Sequence, residues 1–314
     1  MASVEPFRSK QGPRIWLRQS AGAAAPSGGS AVRAVTSVGA HLLIGVFDSG
    51  IGGLSILQAL RAELPNENFI YIADSGHAPY GERDNVHVLA RSRAATAYLV
   101  RQGVQALVIA CNTATAAAID ALRAEHPDLP IIGVEPALKP AALLSRTRRI
   151  GVMATRSTLA SARFKLLRDS LAAQAEFVLQ PCDGLADAIE RGVNTAASPE
   201  TATEIIAVCA RQIRAMGRFG LKNGEIDTLV LGCTHYPFAG AVLRELVGPD
   251  VHLVDTGEAV ARQTRLRLAG ATPQSTAECA PGRISLFSTG QAAHLQAAAQ
   301  RWLQLDCPVE TLHF

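Results

Sequence analysis

The run Leu107-Val108-Ile109-Ala110-Cys111-Asn112-Thr113 is answered in the second half of the chain by Leu229-Val230-Leu231-Gly232-Cys233-Thr234-His235. Both are apolar stretches of strand length that stop at a cysteine followed by polar residues. Upstream, Ile44-Gly45-Val46 is echoed by Ile150-Gly151-Val152. The repeat implies two related halves, each with an early strand and a later strand closing on a thiol. Further apolar runs at 69–73, 130–134, 176–179 and 251–254 read as strands, beside those at 42–47, 106–110, 149–153 and 228–231. Between them lie helical patterns: Leu57, Leu60 and Leu64 ahead of Pro65, then a stretch over 85–102. Strands alternating with helices predict an α/β fold of two pseudo-symmetric doubly wound domains, each a mostly parallel sheet flanked by helices. Ligands in such sheets bind beyond the carboxyl ends of the strands, so the active site is expected in the cleft between the domains, with Cys111 and Cys233 on its two sides. The expected boundaries are an extension over 1–41, a first domain of 42–135 plus 248–314, and a second of 136–247.

Composition narrows the functional classes. With 48% hydrophobic and 18% charged residues, the 314-residue chain is globular in composition. No apolar run approaches the roughly 18 residues of a membrane span, so no membrane partner is expected. Residues 1–41 hold Arg8, Lys10, Arg14, Arg18 and Arg33 against Glu5 alone, which accounts for the net charge of +3 and leaves a near-neutral body without a nucleic-acid footprint. The Ala-, Gly-, Ser- and Pro-rich stretch over 20–37 predicts a flexible extension, although its Arg- and Ser-rich, acid-poor make-up also fits a transit peptide. The six cysteines contain no Cys-x-x-Cys pair. That excludes a disulfide framework and a four-ligand zinc site and points to a reducing compartment.

Three motifs carry the chemistry. Ser49-Gly50-Ile51-Gly52-Gly53 follows the first strand and precedes a helix, with Asp74 closing the next strand. The spacing departs from a dinucleotide fingerprint, and Asp48 would repel a pyrophosphate. A loop that receives a small carboxylate on its N–H groups fits better, with a bare tight turn as the alternative. Cys111 and Cys233 could each be a small buried hydrophobe, but both run into polar turns. His235 and Asp48 are candidate proton partners for the two thiols. Cys233-x-His235 alone would also suit a metal pair or a hydrolase dyad, yet no third ligand lies within sequence reach and Cys111 would go unexplained. Two related thiols fit a reaction with two faces, one base removing a proton while the other donates one.

Taken together, Asp48-Ser49-Gly50-x-Gly52-Gly53, Pro79-Tyr80-Gly81, Cys111-Asn112-Thr113-Ala114-Thr115 and Gly232-Cys233-Thr234-His235-Tyr236-Pro237 resemble glutamate racemase, over about residues 43 to 265. Gly133-Val134-x-Pro136-Ala137 and Ala154-Thr155-Arg156-x-Thr158 add to the resemblance. It implies a cofactor-independent cytoplasmic enzyme that interconverts L- and D-glutamate for bacterial peptidoglycan, with no cofactor and no metal. By that analogy Cys111 takes the α-proton of D-glutamate and Cys233 that of L-glutamate. Asp48 assists Cys111, while His235 assists Cys233, with Glu190 on the second thiol's side. The substrate-binding pairs implied are Asp48-Ser49, Tyr80-Gly81, Asn112-Thr113 and Thr234-His235. Ser49, Tyr80 and Gly81 are assigned to the side-chain carboxylate, and Asn112, Thr113 and Thr234 to the α-carboxylate. Thr155 and Thr158 are weaker candidates.

Ser157 stands where the family often has Gly, and Phe164 where it often has Tyr. Neither change removes a catalytic group, and Glu135 occupies a variable position. Some members with N-terminal extensions are activated by a peptidoglycan precursor, which makes such a precursor a candidate partner beside the small-molecule substrate. A homodimer or a monomer agrees with the resemblance. The remaining readings are an aspartate racemase with the same two thiols, a binding protein on a racemase scaffold, and a Cys233-His235 hydrolase. Cys182, Cys209, Cys279 and Cys307 are read as structural.

Overall fold

The computed structural model describes residues 41–193, 199–269 and 281–314. The extension expected over 1–41 and Cys279 therefore lie outside the described residues, save for His41. The chain runs β1 (Leu43–Asp48), α1 (Leu54–Glu63), β2 (Asn68–Ala73), α2 (Asn85–Arg101), β3 (Ala106–Ile109), α3 (Asn112–Glu125) and β4 (Ile131–Gly133). The second half contributes α4 (Leu138–Leu144), β5 (Arg149–Ala154), α5 (Arg156–Ala160), α6 (Ala162–Asp169), β6 (Glu176–Pro181), α7 (Leu185–Arg191), α8 (Pro199–Met216), β7 (Thr228–Gly232), α9 (Gly240–Val247) and β8 (His252–Val254). The chain then returns through α10 (Gly257–Leu268), β9 (Ile284–Ser288), α11 (Ala292–Leu303) and β10 (Val309–Thr311).

Two sheets result, ordered β10-β9-β2-β1-β3-β4 and β6-β5-β7-β8. Every pairing within them is parallel. The order β2-β1-β3-β4 is repeated by β6-β5-β7-β8, so the internal repeat read in the sequence is a structural one. β1 corresponds to β5 and β3 to β7, which puts the two cysteines at equivalent strand ends. β8 pairs with β7 in the second sheet, and α10 packs on α1 of the first. The chain thus passes from the second sheet back to the first between Val254 and Gly257.

Helices cover both faces of each sheet, which is why the strands are apolar on both sides rather than alternating. On one face of the first sheet, Ile44, Val46 and Val108 pack with Leu57, Leu60 and Val260. On the other, Phe47, Leu107 and Ile109 pack with Val88, Leu99 and Leu122. The second sheet repeats the scheme with Met153, Leu229 and Leu231 against Leu185, Ile213 and Leu243. Ile150, Val152 and Val230 face Leu138 and Phe164. The echoed glycines serve this packing. A Cβ on Gly45 would lie 3.1 Å from Leu99 of α2, and one on Gly151 would lie 2.6 Å from Met216 of α8. Each lets a helix settle on the central strand of its sheet. No helix among the described residues is long and apolar enough to cross a membrane.

Candidate active site

The sequence after each central strand is polar because it turns into a cleft between the two sheets. That cleft has a volume of about 720 Å³ and is lined by Ser49, Tyr80, Gly81, Cys111, Asn112 and Thr113 from the first half. Thr155, Glu190, Cys233, Thr234 and His235 line it from the second. Asp48 and Thr158 stand behind the wall, Asp48 wholly buried beneath the glycine loop and Thr158 supporting Thr155 through a 2.9 Å hydroxyl contact.

Cys111 is the N-cap of α3, and its Sγ accepts from the N–H of Ala114 at 3.4 Å. The positive end of a 14-residue helix therefore faces the sulfur. On its other side the Ser49 hydroxyl lies 3.7 Å away, and that hydroxyl in turn donates to Asp48 Oδ1 at 3.3 Å. Asp48 therefore reaches Cys111 through Ser49. Burial and the Asp48 carboxylate push the Cys111 thiol well up, outweighing the Ala114 N–H and the Ser49 hydroxyl. Asp48 itself is raised to about 6, chiefly by burial, against the opposing pull of His235 and of the Ser49 and Gly53 N–H groups.

Cys233 has a different supporting set. Its Sγ lies 3.6 Å from His235 Nδ1, and His235 Nε2 lies 2.7 Å from Glu190 Oε1. Glu190 is held ionised. Burial alone would raise its carboxyl, but hydrogen bonds from His235, His294 and the Ile51 N–H lower it to about 2. An ionised carboxylate accepts, so His235 Nε2 must carry a proton, which turns Nδ1 towards the sulfur. Burial works against a charged imidazole, yet the contacts to Cys233 and Glu190 prevail and hold His235 well above its ordinary value. Cys233 thus has a cationic neighbour, whereas Cys111 has an anionic one.

The glycine loop joins the two half-sites, and its N–H groups are taken by the chain's own carboxylates. Asp48 accepts from the N–H of Ser49 at 2.7 Å and from that of Gly53, while Glu190 Oε1 accepts from the N–H of Ile51 at 2.8 Å. The glycines themselves exist for close approach. A Cβ on Gly50 would fall 1.9 Å from Glu190 Oε1, and one on Gly52 would fall 2.4 Å from His235 Nδ1. Neither glycine has a left-handed φ. The loop is bare because catalytic-side groups of the other half rest on its backbone. Two hydroxyl contacts complete the seam: Thr234 Oγ1 to Asp48 Oδ2 at 3.4 Å and Ser55 Oγ to the Thr234 carbonyl at 2.9 Å.

Tyr80 is held from behind. Its hydroxyl donates to Asp74 at 2.5 Å, and Asp74 also accepts from both Arg91 Nε and Nη2, at 2.9 and 2.8 Å, and from Thr289 Oγ1 at 2.7 Å. The phenol is therefore turned away from the cleft, which leaves the ring and the backbone of Tyr80-Gly81 to face it. Sequence reasoning did not find Asp74 in this role, nor His294. The segment that carries Thr289 and His294 has no motif, and only the β9 pairing beside β2 brings it to the cleft. Among the described residues no cluster of three or more His, Cys, Asp or Glu is arranged to hold a metal ion. Cys111, Cys182, Cys209, Cys233 and Cys307 are all free thiols.

A duplicated α/β scaffold with one thiol from each half across a shared cleft suits proton transfer on two faces of one carbon. The sequence profile described as Asp/Glu/Hydantoin racemase matches residues 54–264, and the chain belongs to that family of racemases. Curated relatives within it include glutamate racemases. That of Ectopseudomonas mendocina is 49% identical over 227 residues, 72% of this chain and 82% of that protein. That of Cupriavidus pinatubonensis is 43% identical over 86% of this chain and 94% of its own. The crystal structure of a Bacillus anthracis glutamate racemase superposes with a TM-score of 0.74 at 29% identity, covering 87% of this chain and 98% of that one. The Escherichia coli glutamate racemase, solved with L-glutamate and the activator UDP-MurNAc-Ala, superposes with a TM-score of 0.72 at 30% identity over the same shares of the two chains. The chain is an amino-acid racemase.

Proposed function

We propose that the chain interconverts L- and D-glutamate by proton transfer at Cα between Cys111 and Cys233, and that it supplies D-glutamate to peptidoglycan synthesis. The observation that carries this reading is the pair of thiols at equivalent strand ends lining one cleft. Cys233, beside the charged His235, is the base that removes the α-proton of L-glutamate. Cys111, kept as a thiol by burial and Asp48, delivers its proton to the opposite face. The reverse reaction exchanges the two roles. Ser49, Tyr80 and Gly81 hold the side-chain carboxylate. Asn112 and Thr113 at the start of α3, with Thr234, hold the α-carboxylate, where helix N–H groups and hydroxyls stabilise charge developing at Cα. The protein works in the cytoplasm, opens about its two inter-domain crossings, and takes a peptidoglycan precursor of the UDP-MurNAc-Ala class as activator.

Purified chain is incubated with D-glutamate in heavy water, and optical rotation is followed together with the Cα proton signal. Rotation should decay to zero as deuterium enters Cα. A chain silent both alone and with UDP-MurNAc-Ala, or one with a higher specificity constant for aspartate, would overturn the assignment.

A further inference from the structure

Glu190 is gripped from three directions, and only two of the three belong to the seam just described. Its Oε1 takes the Ile51 N–H and His235 Nε2, while Oε2 lies 3.1 Å from Nε2 of His294. His294 sits in the first turn of α11, on the segment that returns to the first sheet, and its side chain is 16% exposed. α11 holds α7 at a second point, since Arg301 donates to the Gly192 carbonyl at 2.9 Å just beyond the end of that helix. A third contact ties α11 to the turn after Cys233. The ring of Trp302 stacks on Phe238 with centroids 3.8 Å apart and planes 10° from parallel.

From this geometry we infer that His294 is a positioning residue for the racemisation reaction: its Nε2–H fixes the Glu190 carboxylate so that Oε1 stays on His235, and His235 in turn serves Cys233. The inference rests on the two-thiol reading above and adds a residue that lines the cleft and reaches the chemistry through Glu190. The chemistry demands a donor. An ionised carboxylate presented to two imidazole nitrogens needs a proton on each, so His294 gives Glu190 a hydrogen bond that no backbone group provides on that side. Without it, Oε2 faces the cleft and its water, and the carboxylate is free to rotate about its last bond, releasing His235 from the orientation that points Nδ1 at the sulfur. The effect falls first on the Cys233 half-site, because the direct contacts of Cys111 are to Ser49 and the Ala114 N–H rather than to Glu190. The other ionisable groups facing this trio are Asp48 beneath the loop, Cys233 beside His235, and Asp187 and Arg191 of α7, which pair with each other.

The test compares His294→Leu, which removes the donor, with His294→Gln, which returns an N–H at about the same reach, both in the full chain. Three readouts are taken: kcat/KM in both directions, its pH profile, and the alkylation rate of each thiol by iodoacetamide, resolved by peptide mass spectrometry. His294→Leu should lower kcat/KM about tenfold, the weak end of what a hydrogen bond to a charged group contributes. It should slow labelling of Cys233 while leaving Cys111 within about twofold, and move the alkaline limb of the profile to lower pH, because His235 loses its proton more easily once Glu190 drifts. His294→Gln should restore all three. The inference fails if the Leu variant labels Cys233 at the parental rate, if both thiols slow together, or if Gln behaves as Leu does. A parental chain that does not racemise would sink the proposed function, and the labelling comparison would still judge His294 by itself.

Discussion

Replacing Gly50 by alanine should damage both activity and stability through one residue, Glu190. The new methyl would sit 1.9 Å from Glu190 Oε1 and 2.9 Å from its Cδ. To reach ordinary contact the carboxylate must retreat by more than about 1 Å, which carries its bonds to the Ile51 N–H and His235, now 2.8 and 2.7 Å, past useful length. Losing one hydrogen bond to a charged group costs about 1.5–3 kcal/mol, so kcat/KM should fall about ten- to hundredfold. The same bonds hold the ionised Glu190 in the folded chain, so stability should fall by about 1.5–3 kcal/mol as well. Part of that is offset, since Gly50 has no left-handed φ and alanine lowers the entropy of the unfolded chain by about 0.4–1 kcal/mol. The melting midpoint should drop by about 2–8 °C. The assay is a double-mutant cycle with Glu190→Ala, read as kcat/KM by polarimetry and as the melting midpoint by circular dichroism. If the damage passes through Glu190, Gly50→Ala in the Glu190→Ala background should cost less than about threefold. A penalty as large as in the parental chain would refute the reasoning, and so would a fully active Gly50→Ala enzyme.

Cys111→Ser and Cys233→Ser should each lower racemisation about a thousandfold, while each retains Cα deuterium exchange without inversion for one enantiomer only; exchange of both enantiomers by either variant would contradict the two-face assignment. Asp48, whose folded value of about 6 lies above its ordinary 3.8, favours the fold below pH 4 and loses that contribution as pH rises through 6. The stability of Asp48→Asn relative to the parent should therefore grow by about 3 kcal/mol between pH 4 and pH 8 in urea titrations. Glu190 runs the other way, stabilising above its ordinary 4.5 and losing that as pH falls towards 2, so it leaves the pH 5–8 window alone. Tyr80→Phe removes a hydroxyl bound to Asp74, and should cost about 1–3 kcal/mol of stability while KM for glutamate stays within about twofold. Phe238→Leu unstacks Trp302, and should cost about 1 kcal/mol and change the tryptophan emission on glutamate binding.

The strands and the two thiols were legible in the sequence because burial on both sheet faces writes continuous apolar runs, and duplication writes the same run twice. All eight expected strands exist, each displaced by no more than two residues at either end. β9 and β10 escaped because both are short and mixed in polarity, and β10 is the exposed edge strand of the first sheet, where the apolar signal is weakest. The glycine loop was read as receiving a small carboxylate ligand, whereas its Ser49, Ile51 and Gly53 N–H groups are taken by Asp48 and Glu190 of the chain itself. Sequence spacing reports what lies along the chain, whereas Glu190 and His235 reach Gly50 and Gly52 from the other half of the molecule. His294 and Asp74 were hidden for the same reason.

The two half-sites are related by duplication yet differ in chemistry: hydroxyl and carboxyl behind Cys111, imidazole and carboxylate behind Cys233. That asymmetry cannot favour one enantiomer at equilibrium, because L- and D-glutamate have equal free energy and kcat/KM must be the same in both directions. It can only divide that common ratio differently between kcat and KM. On the proposed mechanism, the raised Cys111 thiol and the cationic His235 beside Cys233 favour the state from which L-glutamate reacts. A bound D-glutamate must wait for a proton to move from the Cys111 side to the Cys233 side. The slower of the two kcat values should then belong to D-glutamate, with a proportionally lower KM. A residue acting only on the Cys233 side, as His294 does, must lower kcat/KM equally both ways while changing how each direction splits it. Variants on the Cys111 side, such as Ser49→Ala, should alter the split in the opposite sense. The two sets of ratios therefore locate each supporting residue on its own face of the substrate.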